Sequence, residues 1–168
     1  MLYRVLRLHS AYFLFAISYM SYDIAKVIYI KENPVDADNV ATFVIDTNNW
    51  KQPQTDDDIV KITTFIASIA TQTLLKSQKH GGNKFDVLVL MENFKIGNIN
   101  YKFVKYLADI LKSLFPEKLR KATLIDPPKF FITSYEIVKT FLDKPTRKKV
   151  ELVSTKENKQ IYFDQIED

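Results

Sequence analysis

The chain has 168 residues, 46% of them apolar and 13% aromatic, with 24 basic against 20 acidic side chains and a formal net charge of +4. That is enough for one compact domain with a substantial core. It is too apolar for a disordered segment and too mildly basic for the dense cationic stripe of a nucleic-acid binder, though it suits contact with an anionic membrane surface. Three glycines, two histidines (His9 and His80) and no cysteine exclude a glycine-rich phosphate loop, a disulfide framework, thiolate sites and a multi-histidine metal cluster. No Gly-x-Ser-x-Gly nucleophile elbow occurs either, so the expectation is a protein that is not an enzyme, with no metal and no cofactor.

Residues 1–20 place Arg4 and Arg7 ahead of an apolar run from Ala11 to Met20. The run is shorter than the roughly 20 residues of a membrane span, and no small-x-small cleavage site follows it. A helix packed on the domain is expected, with a targeting segment as the alternative. Residues 1–26 are therefore set apart from a domain of residues 27–168.

Residues 27–30 and 40–45 are β-branched and aromatic runs separated by Asn33-Pro34 and the turn-forming stretch 36–39, which reads as two strands joined by a loop. Residues 55–78 read as a helix. Thr55 is the cap, Asp56, Asp57 and Asp58 complement the positive end of the helix dipole, Ile59, Ile62, Ile66, Ile69 and Ala70 recur at helical spacing, and Gly81 stops it. The apolar run 85–91 (FDVLVLM) suits a central strand covered on both faces. Asn100 should cap a second helix carrying Val104, Leu107, Leu111, Leu114 and Phe115 on one face. Residues 122–125 form a strand stopped by Asp126-Pro127-Pro128, a third helix runs from about Thr133 to Leu142, residues 150–153 form a strand, and the tail from Thr155 is helical. Strands alternating with helices predict an α/β fold whose mixed sheet is largely parallel and flanked by helices.

Four segments in order then resemble the CRAL-TRIO family of lipid carriers. Residues 87–93 (VLVLMEN) are similar to its central strand, with Glu92 where an aspartate is usual. Residues 115–119 (FPEKL) are similar to its Tyr-Pro-Glu-Arg-Leu turn. Residues 125–131 (IDPPKFF) are similar to Ile-Asn-Ala-Pro followed by an aromatic, and residues 141–150 (FLDKPTRKKV) to Phe-Leu-Asp-x-x-Thr-x-x-Lys-Ile. Departures are Lys95 in place of a glycine, a slightly short segment between Glu92 and Glu117, a reduced N-terminal lobe, and an end at Asp168 before the family's closing segment.

The resemblance implies an apolar lipid pocket closed by a gate helix after Pro128. Phe131, Tyr135, Val138 and Leu142 form a stripe at helical spacing, widened by Phe130, Ile137 and Phe141. By spacing alone that stripe reads equally well as core. By resemblance, Phe131, Tyr135, Val138, Phe141 and Leu142 line the tail pocket and gate, while Glu117, Thr146 and Lys149 hold a head group. Lysine offers a phosphate a positive charge, threonine a hydroxyl, and glutamate an acceptor for sugar hydroxyls. A surface ion pair and a turn threonine are the bland alternative for that trio. Arg147 and Lys148, near Lys144, are either a solvated face or a membrane-docking patch. The implied function is binding, transfer or sensing of one amphiphilic lipid, phosphatidylinositol-like first, in a cytoplasmic protein peripheral at membranes. Its implied partners are a phospholipid or other hydrophobic ligand, a transient anionic membrane surface and a possible protein partner, with no nucleic acid. The alternative is a non-catalytic interaction or scaffold module with a degenerate pocket.

Overall fold

The computed structural model describes residues 23–31, 35–155 and 159–161. The expected helix over residues 1–20 lies outside them, as does most of the tail. In chain order the elements are α1 (Asp23–Val27), β1 (Ile28–Ile30), β2 (Ala41–Asp46), α2 (Asp56–Lys79), β3 (Phe85–Leu90), α3 (Tyr101–Leu114), β4 (Leu119–Ile125), α4 (Lys129–Lys139), the one-turn α5 (Lys144–Arg147), β5 (Val150–Ser154) and β6 (Lys159–Ile161).

The strands form one sheet in the order β1-β2-β3-β4-β5-β6. The four central strands run parallel, and β1 and β6 pair antiparallel at the edges. Because spatial order follows chain order, three successive right-handed crossovers deliver α2, α3 and α4 to the same face. The packing agrees. Ile62, Phe65, Ile66 and Ile69 of α2 and Phe103 of α3 share one core with Ile28, Phe43 and Phe85 of the sheet. Phe131, Tyr135 and Val138 of α4 share a second core with Leu124, Val150 and Leu152. Val104 of α3 packs against both. The opposite sheet face carries Tyr29, Val44, Leu88, Leu90, Ile125 and Val153, which belong to neither core. The expectation of a central strand covered on both faces therefore holds, among the described residues, for helices on one face only.

Local chemistry explains most boundaries. Thr55 and Asp58 make a reciprocal capping box at the start of α2, the Thr55 hydroxyl accepting from the Asp58 N–H and the Asp58 carboxylate from the Thr55 N–H. Hydrogen bonds donated to the Asp58 carboxylate, by the Thr55 hydroxyl first and then by the Thr55 and Gln54 N–H groups, hold that carboxyl below its usual range. Gly81, at φ 89°, ends the helix where a left-handed residue is needed. Although α2 is long and apolar enough to cross a bilayer, much of its surface is core. Ser77 is fully buried and ties this helix to the sheet, its hydroxyl accepting from the Ala41 N–H at 2.8 Å. Gly82 lies so close to the preceding loop that a Cβ there would fall 2.0 Å from the Asn39 carbonyl oxygen.

Four expectations are corrected. Val27 ends α1 rather than opening β1. Leu114 is 44% exposed, because the chain leaves α3 there and Phe115 packs on the core instead. α4 begins at Lys129, not near Thr133: Pro128 takes the extended cap position and its carbonyl accepts from the Phe131 N–H, so both phenylalanines enter the first turn. The tail is not helical where described, since β6 pairs with β5 and satisfies backbone groups that an open edge would leave exposed.

Candidate functional site

Glu117 and Lys149 are 32 residues apart in sequence, and the topology sets them side by side. Glu117 stands in the turn between α3 and β4, two residues before Leu119, and Lys149 immediately precedes β5. Since β4 and β5 are adjacent and parallel, both residues lie at the amino ends of their strands. Lys149 Nζ lies 3.5 Å from Glu117 Oε2, with the glutamate side chain 81% exposed and the lysine 21%. The backbone at Glu117 is left-handed, at φ 59°. For a non-glycine residue that conformation is costly, and such strain gathers at functional positions.

Thr146 belongs to α5, three residues before Lys149. Its backbone N–H donates to Asp143 Oδ1 at 2.8 Å, and its hydroxyl also bonds that carboxylate. Together these contacts, the hydroxyl first, hold the Asp143 carboxyl below its usual range, with Lys112 adding to them at 3.4 Å. Thr146 thus serves the cap of its own short helix. The basic run divides three ways. Arg147 Nε turns back to the Leu142 carbonyl at 2.9 Å, Lys149 faces Glu117, and only Lys148 is exposed to solvent. A contiguous cationic patch at 147–149 is not what the fold builds.

The stripe on α4 is a filled core. Phe131, Tyr135 and Val138 are 8%, 1% and 8% exposed and pack directly against the sheet. Phe131 meets Tyr135 at 6.2 Å between ring centroids and Phe94 edge-on at 5.8 Å, while Phe94 stacks on Phe130 at 6.4 Å. Leu142 is half-buried beside them and Phe141 is half-buried as well. An open cavity beside this stripe was the expectation; among the described residues the stripe's side chains pack on one another and on the sheet. Phe94, in the loop after β3, is a member that sequence reasoning missed. Its only signal was an aromatic beside the acidic residue closing the central strand.

A separate cleft of about 890 Å³ opens at the carboxyl ends of β2 and β3, between the loops that follow them and the start of α2. Trp50, Lys51, Asn93 and Lys95 are among its walls, and none of the stripe residues is. The sequence analysis did not single it out.

At the opposite end of β4 a charged hub closes the sheet. Arg120 bonds Asp86 at 2.6 Å and Asp38 at 2.9 Å and also pairs with Asp36. The contacts with Asp86, then Asp36, raise the guanidinium pKa further. The Asp36 carboxyl is lowered by the Val40 N–H first and by Arg120 after it.

Residues 25–168 match the model of the CRAL/TRIO domain. The chain belongs to the CRAL/TRIO family. Among solved structures this CRAL/TRIO chain is similar to the crystal structure of Sfh5, with a TM-score of 0.65 and 18% identity over 80% of its own length. That is a likeness of fold. It spans about half of the Sfh5 chain, 49%. Sfh5 is one of 34 solved chains that match. No curated protein sequence matches the chain.

Proposed function

We propose that this CRAL/TRIO chain binds one amphiphilic lipid, without catalysis, and exchanges it at a membrane surface. The observation that carries the reading is the Glu117–Lys149 pair, brought together from two separate turns with Glu117 held in a left-handed backbone. In this reading the pair, with Thr146 beside it, meets a phosphate-bearing head group, phosphatidylinositol first. α4 is the gate, and Phe131, Tyr135, Val138, Phe141 and Leu142 give up contacts with one another and the sheet to an entering acyl chain. Arg147 and Lys148 would add at most a small electrostatic attraction to an anionic leaflet, Lys148 more than Arg147. A cytoplasmic protein peripheral at membranes fits this cycle.

The packing supplies the physics of the exchange. Uncovering Phe131, Tyr135 and Val138 in water costs about 1.5–3 kcal/mol for each side chain. Against a total stability of roughly 5–15 kcal/mol, a free-standing open gate is therefore rare. A bilayer surface, or the acyl chain itself, replaces the lost apolar contact and removes most of that cost. Opening is thus coupled to the presence of lipid, as population shift requires.

The filled core favours a second reading, an interaction module with the same fold and no working pocket. Native mass spectrometry of the purified chain separates the two. A bound lipid of defined mass, exchangeable with labelled vesicles, is the expected result. Protein free of lipid both as purified and after incubation with phosphatidylinositol vesicles would leave the interaction module standing.

A further inference from the structure

The sheet face turned away from α2, α3 and α4 is built like the floor of a core. By register Tyr29, Val44, Leu88 and Thr123 form one row across it, and Leu90, Ile125 and Val153 form the next. Its charges are matched within the sheet. Lys121 pairs with Glu151, Asp86 pairs with Arg120 at 2.6 Å, and Asp46 at the rim accepts from the Asn48 N–H at 2.9 Å. A sheet face meant for water alternates to polar side chains. An apolar centre ringed by charges that already have partners is one that can be taken out of water.

Val44 is already out of water. Only 3% of it is exposed, although among the described residues the helices that pack on the sheet do so from the other side. Its partners Tyr29 and Leu88 stand beside it on neighbouring strands, not above it. The cover therefore comes from elsewhere in the same chain, and the two candidates of any length are residues 1–22 and 162–168. Residues 162–168 follow β6, four strands from β2, or about 19 Å. They carry Asp164, Glu167 and Asp168, three charges that an apolar face would have to desolvate.

Residues 1–22 fit better. They lead into α1, which runs directly into β1, the strand beside β2. Wound as a helix, 22 residues span about 33 Å, enough to cross six strands, about 24 Å. At helical spacing Leu2, Val5, Leu6, Phe13, Ile17 and Met20 fall on one side, interrupted by His9, and Arg4, Arg7, Ser18 and Ser21 fall on the other. The segment contains no carboxylate.

We propose that residues 1–22 form an amphipathic helix that lies across this face, its apolar side on Val44, Leu88, Leu90, Ile125 and Val153. The sheet is then covered on both faces, and the domain has three layers. The segment is an internal cover, not a membrane anchor, and it keeps that role whether or not the chain carries lipid.

The chain has no cysteine, so a single introduced thiol reports a single place. Val44→Cys should be alkylated at least about tenfold more slowly than Lys148→Cys at its exposed position, and dilution should not change that. Adding Phe13→Asp/Ile17→Asp should speed alkylation of Val44→Cys at least about tenfold, with Lys148→Cys and the amide exchange of α2 unchanged. A nitroxide on Arg7→Cys, on the polar side, leaves the apolar side intact. It should broaden the amide resonances of Ile125 and Val153 more than that of Tyr135 on the far face. Fast alkylation of Val44→Cys with the segment unaltered overturns the proposal, as does protection that survives Phe13→Asp/Ile17→Asp. Protection lost on dilution gives the face to a second copy of the chain, and protection that appears only with phosphatidylcholine vesicles gives it to a bilayer; either result overturns the proposal too. If Phe13→Asp/Ile17→Asp also strips protection from α2, the nitroxide decides, and no broadening at Ile125 and Val153 refutes the cover.

Discussion

Replacing Lys149 by alanine separates a structural ion pair from a head-group contact, because the geometry assigns the two roles different magnitudes. The Lys149–Glu117 separation is 3.5 Å and Glu117 is 81% exposed, so the pair itself contributes only about 0–1 kcal/mol to stability. For a chain of this size that is a fall in melting temperature of at most about 4 °C. If Lys149 instead meets a lipid phosphate, its loss removes a charge-assisted contact worth about 1.5–3 kcal/mol, or roughly tenfold to a hundredfold in affinity. The assay is transfer of labelled phosphatidylinositol between vesicles, run beside phosphatidylcholine and a thermal melt. The expected result is a large loss for phosphatidylinositol, little change for phosphatidylcholine and a nearly unmoved melt. Equal loss for both lipids, or unchanged phosphatidylinositol transfer, would show that Lys149 does not read the head group.

Ser77→Ala strands the buried Ala41 N–H that now donates to the hydroxyl at 2.8 Å, and urea denaturation should show a loss of about 1–3 kcal/mol. Gly82→Ala drives a Cβ to within 2.0 Å of the Asn39 carbonyl oxygen. It should lower the melting temperature markedly, whereas Gly97→Ala, with open space around it, should not. Asp36, Asp58 and Asp143 all have folded carboxyl pKa values below the ordinary value of 3.8. Their contribution is therefore complete above the unfolded pKa and is lost as pH falls through the folded values. Melting temperature followed downward from pH 6 should stay flat at first and drop below about pH 4, and Arg120→Met should lower it at neutral pH by leaving Asp36, Asp38 and Asp86 to repel one another.

The alternating sheet and its long helix were legible because their signals are local. Thr55 with three aspartates starts α2, Gly81 stops it, and Asn100 caps α3 by accepting from the Phe103 N–H. The proximity of Glu117 and Lys149 was legible only through resemblance, since no local rule brings two turns together. Whether Phe131, Tyr135 and Val138 face a cavity or a core was not legible at all. Both arrangements need the same apolar stripe, and volume decides between them. Ser77 went unnoticed because a serine within a helix reads as neutral until its partner on another element is known. The cleft was equally invisible: its lysines and asparagines come from segments more than 40 residues apart, each unremarkable alone.

The strand order has a mechanical consequence. No later strand is inserted between two earlier ones, so the sheet is laid down like the turns of a spring, each pairing with the one before. The last full turn, β4 to α4 to β5, can loosen without breaking any hydrogen bond among β1, β2 and β3, and its core is a different one from that beneath α2. Amide hydrogens of α4 and β5 should therefore exchange in a unit of their own, ahead of those in α2 and β3. A chain wound in this way can yield at one end while the other end keeps its shape.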